Sequence, residues 1–397
     1  MTSTRLSVVM FSALLSHGGG RETWLNNVLP ELLALRSFDQ IDVYYFGDSL
    51  TDSHPKIGIC VDPRVNFFET RLPIGNGKLT SVCRIGMFCF DTVRRLRRRQ
   101  PEGHCVVAVG TFYEGAVLAL LRATTLRPPL LVTWIRGVWS KEITHRHGAL
   151  IKALICSFEK RFMRRADLII SNGQDTKAFY ETLLGRHVEA IPNALDIKKY
   201  AAFSRQAFAD ARKTVSFIGR LSEEKGLRAY LDAMEVYFGS NASPTLSFDI
   251  VGDGPLRNLT EQFVAKFSEH PVRYLGPISN EAMLSYLETI DAGVCLTYSK
   301  ESGGGGVSNG LLELIGAERL VIAWDSPIYK QVLSSGQAMF IHESDAAALA
   351  YGFAELDAEP EVMRTKITRS VEALERYSLE QHVSHFLTYL RRNSGPT

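Results

Sequence analysis

Short apolar runs rich in Val, Ile, Leu and aromatic residues alternate along the chain with longer stretches in which apolar positions recur at intervals of three and four. The first pattern is that of strands buried on both faces, and the second that of amphipathic helices. In the first half LSVVMFS, QIDVYYFG, CVVAVG, LLVTWI, ADLIISN and VEAIPN read as strands; in the second half TVSFIGR, LSFDIVGDG, VRYLG, AGVCLTY and RLVIAWD do so. Helices fall between them, among them Leu227 to Tyr237 and Asn280 to Leu287. Each run tends to end in Gly, Asn or Asp, and the alternation predicts βαβ units and therefore an α/β fold with parallel sheets.

The pattern pauses over residues 193–213, NALDIKKYAAFSRQAFADARK, which is polar and carries no strand signal. A boundary there predicts an N-terminal domain over 1–195 and a C-terminal domain over 196–377. In the tail, 378–397, Val383, Phe386, Leu387 and Leu390 share one helical face, which predicts an amphipathic helix packing back toward the N-terminal domain. A chain of 397 residues suits more than one domain of roughly 100–200 residues. Its 45% hydrophobic and 22% charged content excludes a disordered or fibrous protein. The net charge of +2 decides nothing about nucleic acid.

Six cysteines without a CxxC pair, mostly inside apolar runs, predict reduced thiols in a cytoplasmic protein rather than a disulfide framework or a zinc site. The N-terminal RLSVVMFSALLSHGGG has the apolar run of a signal peptide, but no small-residue cleavage pattern follows and a glycine turn ends it. A buried first strand is the expectation. No apolar segment reaches the ~18 residues of a membrane-spanning helix.

Four glycine-rich turns follow strands and precede helices: HGGGRE (Gly18 to Gly20), GRLSEEKG (Gly219 to Gly226), GDGPL (Gly252 to Pro255) and GGGGVSNG (Gly303 to Gly310). The free N–H groups of a helix start attract phosphate, and glycine lets the ligand touch backbone. In doubly wound sheets such turns line the crevice at the carboxyl ends of the strands. Together they predict a nucleotide or phosphorylated ligand. Arg220 and Lys225 flank the second turn and suit a diphosphate, the arginine as a fork and the lysine as a point charge. The alternative for Lys225 is a surface pair with Glu223 or Glu224. Glu313 falls one turn into the helix begun by SNGLLELI, placed to accept hydrogen bonds from ribose hydroxyls or, alternatively, solvated on the outer face.

The segments SFIGRLSEEKGLRAYLDAM, FDIVGDGPLRNL, VRYLGPISNEAM and GVSNGLLELIGAERLVIAWD occur in an order and spacing that resemble the GT-B glycosyltransferases of family 4. HGGGRETWL and ADLIISNGQDTKAFYETLLG, with VEAIPNALDIKKY, resemble it more weakly, and residues 40–130 show little. The resemblance implies two Rossmann-like domains with parallel sheets facing a central cleft. It implies transfer of a sugar, with retention of configuration, from a nucleotide-sugar used as substrate, with no cofactor and no bound metal. Arg220 and Lys225 would hold the donor diphosphate and stabilise the leaving group. The donor site would comprise Gly18, Gly19, Gly20, Gly219, Arg220 and Lys225, main chain at Gly276 and Ile278, and the loop of Gly305, Gly306, Val307, Ser308, Asn309, Gly310 and Leu311 with Glu313. The acceptor would be a glycan or a lipid-linked sugar, as in polysaccharide biosynthesis.

Two departures from the family stand out. Its paired glutamates have seven residues between them; here the second matches Glu313, the position eight residues earlier is Gly305, and the nearest upstream glutamate is Glu301. Either Glu301 reaches the donor sugar through a longer loop, as a third catalytic residue, or backbone N–H groups of Gly304 to Gly306 replace it. A histidine of many relatives, facing the donor sugar, is replaced in VTWIRGVWSKE by Arg136 and Trp139, either acceptor contacts or structural residues. His17 is a further lone candidate on that side, whereas His145 and His147 read as surface or core residues.

Arg94, Arg95, Arg97, Arg98 and Arg99 concentrate on one helix. A solvated helix end and a peripheral contact with anionic lipid on the inner face of a membrane are the two readings; without interleaved aromatics, nucleic acid is not expected. Other classes remain: an epimerase of similar fold acting on the nucleotide-sugar, and a non-catalytic nucleotide-sugar-binding protein. A dinucleotide oxidoreductase is weakest, because HGGGRE lacks the GxGxxG spacing.

Overall fold

The computed structural model describes residues 4–15, 19–47, 62–73, 78–99, 103–138, 149–201, 203, 206–210, 212–240, 245–298 and 306–393. The chain forms two compact units, one of residues 1–193 with 379–397 and the other of residues 194–378.

The first unit is built on a parallel sheet of seven strands: β1 (Arg5–Val9), β2 (Gln40–Gly47), β3 (Val65–Arg71), β4 (His104–Val109), β5 (Leu130–Ile135), β6 (Leu168–Ser171) and β7 (Glu189–Ala190). Their order is β3-β2-β1-β4-β5-β6-β7. The second unit has β8 (Lys213–Ile218), β9 (Leu246–Val251), β10 (Val272–Gly276), β11 (Ala292–Cys295), β12 (Leu320–Trp324) and β13 (Met339–Ile341), again parallel, in the order β10-β9-β8-β11-β12-β13. Two strands escape the sequence pattern. β3, VNFFETR, is an edge strand whose residues are mostly half-buried, and β13 is three residues long, so neither shows a clean period.

The central strands are apolar runs because helices cover both faces: every residue of β4 and of β9 is buried. In both sheets the strand order reverses beside the first strand, between β1 and β4 and between β8 and β11. At such a switch point the outgoing connections diverge to opposite faces, leaving a crevice at the carboxyl ends of the strands.

The C-terminal helix Leu379–Asn393 buries Leu379, His382, Val383, Phe386, Leu387 and Leu390 and packs on the helix Gly20–Ala34 of the first unit. The indole Nε1 of Trp24 donates to His382 Nε2 (3.0 Å), and the other ring nitrogen lies 2.7 Å from the Pro192 carbonyl oxygen. An indole N–H can only donate, so Nε2 accepts and Nδ1 carries the proton. Burial pushes the His382 pKa down to about 3.

The described cysteines are free: Cys89 and Cys105 are buried, Cys156 and Cys295 half-buried, and Cys83 exposed on the helix Lys78–Arg97.

Candidate functional site

Three connections at the carboxyl edge of the second sheet are laced together through backbone. Leaving β8, Gly219 donates to the Val251 carbonyl (3.0 Å) and Leu221 to that of Asp253 (3.0 Å); Leu256 donates back to Leu221 (2.9 Å), and Gly252 to Gly276 at the end of β10 (2.9 Å). The approach is so close that a Cβ on Gly252, whose φ is +134°, would lie 1.8 Å from the Gly219 carbonyl oxygen. The GDG of the third turn is therefore needed for strand-end packing, whatever else it contacts.

Residues Glu223–Lys225 form a single 3-10 turn closed by Gly226 in the left-handed region (φ +73°). A Cβ there would meet the Leu296 carbonyl oxygen at 2.3 Å, so this glycine lets the loop after β8 press against the residues after β11. Two further contacts join the same pair of connections across the switch point: Tyr298 N–H donates to the Glu224 carbonyl (3.1 Å), and Lys225 Nζ lies 3.4 Å from Thr297 Oγ1. Burial pushes the neighbouring Cys295 thiol up to about 12, against the pull of the Lys225 charge.

Of the two cations predicted at this turn, Arg220 is exposed and has no side-chain partner among the described residues. Lys225 is half-buried beside Thr297 rather than swinging to Glu223, which is held by Arg228 (2.6 Å). An exposed guanidinium without a side-chain partner among the described residues, at the end of a central strand beside a switch point, is available to an anion.

The helix Asn309–Gly316 starts in the connection after β11. Val307 and Leu311 are fully buried and anchor the loop to the core, while Ser308, Asn309 and Gly310 are half-buried. Ser308 is the N-cap residue, but its side chain makes no capping bond, so this helix start leaves amides for another acceptor. Gly306, the last glycine of the run, has φ +53°. Glu313 is half-buried, and its carboxylate has neither an ion pair nor a hydrogen bond among the described residues. Burial raises its pKa to about 7. Burial first, and then the Glu313 charge, raise the pKa of the Tyr200 phenol, itself packed on Gly316. At β10, Gly276 is half-buried and Ile278 packs its side chain on the core, leaving main chain as what this stretch can offer a ligand.

In the first unit Gly19 is the exposed N-cap of the helix Gly20–Ala34 and Gly20 its first residue. Arg136, at the end of β5, donates to the Gly20 carbonyl (2.9 Å) and lies over the Trp24 ring at 5.9 Å, while its second terminal nitrogen, Nη1, is buried with no hydrogen-bond partner among the described residues. Burial and the nearby Arg21 push its pKa down to about 9, with Glu22 opposing. Arg21 bridges to Glu114 (2.8 Å) and donates to the Phe11 carbonyl (3.1 Å). Glu114, which also accepts from Phe11 N–H (2.8 Å), sits buried at the β1/β4 switch point with its pKa raised by burial. Sequence reasoning missed Glu114; its signal is a lone acidic residue just after a strand, in VAVGTFYEG. His17, Gly18, Trp139, His145, His147, Glu301 and Gly303 to Gly305 lie outside the described residues.

The arginine cluster divides. Arg94 and Arg95 bridge to Asp91 (3.7 and 2.8 Å), and Arg99 lies near Asp42 (3.8 Å) and over the Phe68 ring; only Arg97 and Arg98 are exposed without partners among the described residues.

Residues 212–358 match the family of glycosyl transferases group 1. A curated 2-deoxystreptamine N-acetyl-D-glucosaminyltransferase of Streptomyces fradiae is 24% identical over 273 residues, 64% of this chain, and the chain spans 63% of that relative's length. Among solved structures, Anabaena HepE in complex with UDP and glucose superimposes with a TM-score of 0.72 at 16% identity, covering 98% of this chain and 99% of that one. Sucrose-phosphate synthase from Thermosynechococcus elongatus gives 0.77 at 16% identity, covering 98% of each chain. Trehalose-6-phosphate synthase OtsA gives 0.75 at 10%, covering 98% and 99%. The fold is GT-B, and the second unit carries a glycosyl transferases group 1 domain.

Proposed function

Because its second unit carries a glycosyl transferases group 1 domain, we propose that the chain is a retaining glycosyltransferase. It transfers a sugar from a nucleotide-sugar to a glycan or lipid-linked acceptor in the cytoplasm, without a resident metal. The second unit holds the donor and the first contributes acceptor contacts. The observation that carries this reading is that the two connections leaving β8 and β11, joined by Lys225 and Thr297, also carry Arg220 and the Glu313 carboxylate, neither of which has a side-chain partner among the described residues.

Arg220 as a fork and Lys225 as a point charge receive the diphosphate, together with amides at the start of the helix Asn309–Gly316. As the bond to the anomeric carbon breaks, negative charge grows on the departing phosphate oxygen, and the two cations stabilise that state more than the ground state. Glu313 accepts hydrogen bonds from the ribose diol. Glu301 contacts the donor sugar, and His17, Arg136 and Trp139 are the candidates for contacts with the sugar or the acceptor. The UDP bound by Anabaena HepE makes a uridine donor the first to test.

A thermal-shift screen of the purified chain against nucleotide-sugars tests the reading. One nucleotide class should raise the melting temperature and, with its matching acceptor, yield a product of retained anomeric configuration by NMR. A chain that no nucleotide-sugar stabilises, or a product of inverted configuration, would contradict it.

A further inference from the structure

Six of the large apolar side chains exposed on this protein lie on two helices of the first unit. Helices Lys78–Arg97, Tyr113–Thr124 and Ala149–Met163 lie side by side, the second packed between the other two. On the first, Val82 (66% exposed), Met87 and Phe90 (72% exposed) project to solvent; on the third, Ile151, Leu154 and Phe158 do so. Intervals of three and four residues put Ile151, Leu154 and Phe158 on one side of their helix, and Met87 and Phe90 are likewise three apart on theirs, with Val82 a turn and a half earlier. A buried side chain of this size is worth ~1.5–3 kcal/mol, so six left in water on neighbouring helices need a reason.

The same faces continue into arginine. Arg97 and Arg98 follow on the first helix, and Arg161 and Arg165 on and just after the third; all four are exposed and make no ion pair among the described residues. Both helices leave the carboxyl edge of the sheet and return to its amino edge, so they run parallel. Their apolar halves therefore align with each other and their arginine ends likewise. The three helices contain three carboxylates, and none is available: Asp91 is bridged by Arg94 and Arg95, and Glu114 and Glu159 are buried.

We propose that this face docks on an anionic lipid surface, the apolar halves entering the boundary between headgroups and acyl chains and Arg97, Arg98, Arg161 and Arg165 meeting lipid phosphates. Uniform positive charge beside an apolar strip, with no exposed carboxylate, is complementary to that surface. A second copy of the chain would bring only further cations to the arginine ends. No helix among the described residues is long and apolar enough to cross a membrane, and the proposed contact is a peripheral one. The reading stands on the first unit alone and does not depend on the transferase assignment.

Flotation of the full chain with vesicles of phosphatidylcholine, with and without an equal share of phosphatidylglycerol, tests it in the absence of donor and acceptor. Wild type should float with the anionic vesicles at low salt and stay behind with the neutral ones. Changing Arg97, Arg98, Arg161 and Arg165 together to Glu should lower partitioning by about a hundredfold or more, at roughly fivefold per basic residue. Phe90→Ser with Phe158→Ser should lower it at least about tenfold without altering the circular dichroism spectrum. The proposal is overturned if wild type ignores anionic vesicles, if both variants float like wild type, or if the face instead supports a dimer that Phe90→Ser disperses.

Discussion

Gly252 stands against Gly219 so closely that a Cβ would reach within 1.8 Å of the Gly219 carbonyl oxygen, at a φ of +134° that side chains avoid. The turns after β8 and β9 are therefore one packed unit, and Arg220 projects from it. Gly252→Ala should cost about 2 kcal/mol or more, read as a lower urea midpoint at unchanged slope, and should weaken nucleotide-sugar binding as Arg220 moves. An unchanged midpoint would mean that the two turns are not in contact.

Glu313 provides a pH signature. With its carboxyl raised to about 7 by burial, the folded protein holds a proton that the unfolded chain has released, so its contribution to stability falls as pH rises from the ordinary carboxyl value through about 7. Ligand hydroxyls donating to the group favour its ionised form. Donor affinity should rise across this range, with a proton released on binding between about pH 6 and 7. Calorimetry in buffers of different ionisation enthalpy measures that proton, and Glu313→Gln should remove both the proton and the pH dependence.

The C-terminal helix is held to the first unit partly by the Trp24–His382 hydrogen bond. His382 is kept neutral by burial, its pKa down at about 3, so the folded state resists a proton that the unfolded chain accepts. Its contribution is complete above the ordinary histidine value and is lost as pH falls from there toward about 3. His104, pushed down to about 4 by burial, acts in the same direction. His382→Leu leaves the Trp24 N–H unpaired and should cost about 1–3 kcal/mol at neutral pH, with the difference from wild type narrowing near pH 5. A constant difference across that range would remove His382 from the acid sensitivity.

Much of this architecture was legible in the sequence because its signals are local. Runs such as CVVAV and LSFDIV can only be strands covered on both faces, and GRLSEEKG carries its turn glycine and both cations within eight residues. The edge strand β3 and the three-residue β13 were not legible, since neither buries a full face. Nor were relations between distant segments: the arrest of Arg136 on the Gly20 carbonyl, the Arg21–Glu114 pair, and the apolar strip made by two helices that are separate in sequence. The arginine run read as one cluster because sequence does not reveal that Asp91 and Asp42 pair with three of its members.

In the proposed function Arg220, a cation with no side-chain partner among the described residues, is there for the donor diphosphate. Titration of wild type and Arg220→Ala with the stabilising nucleotide-sugar in a calorimeter tests it most directly. Wild type should bind saturably and the variant about 10–100-fold more weakly, the worth of one or two charge-assisted hydrogen bonds, at an unchanged melting temperature of the free protein. Equal affinities in the two proteins would contradict it.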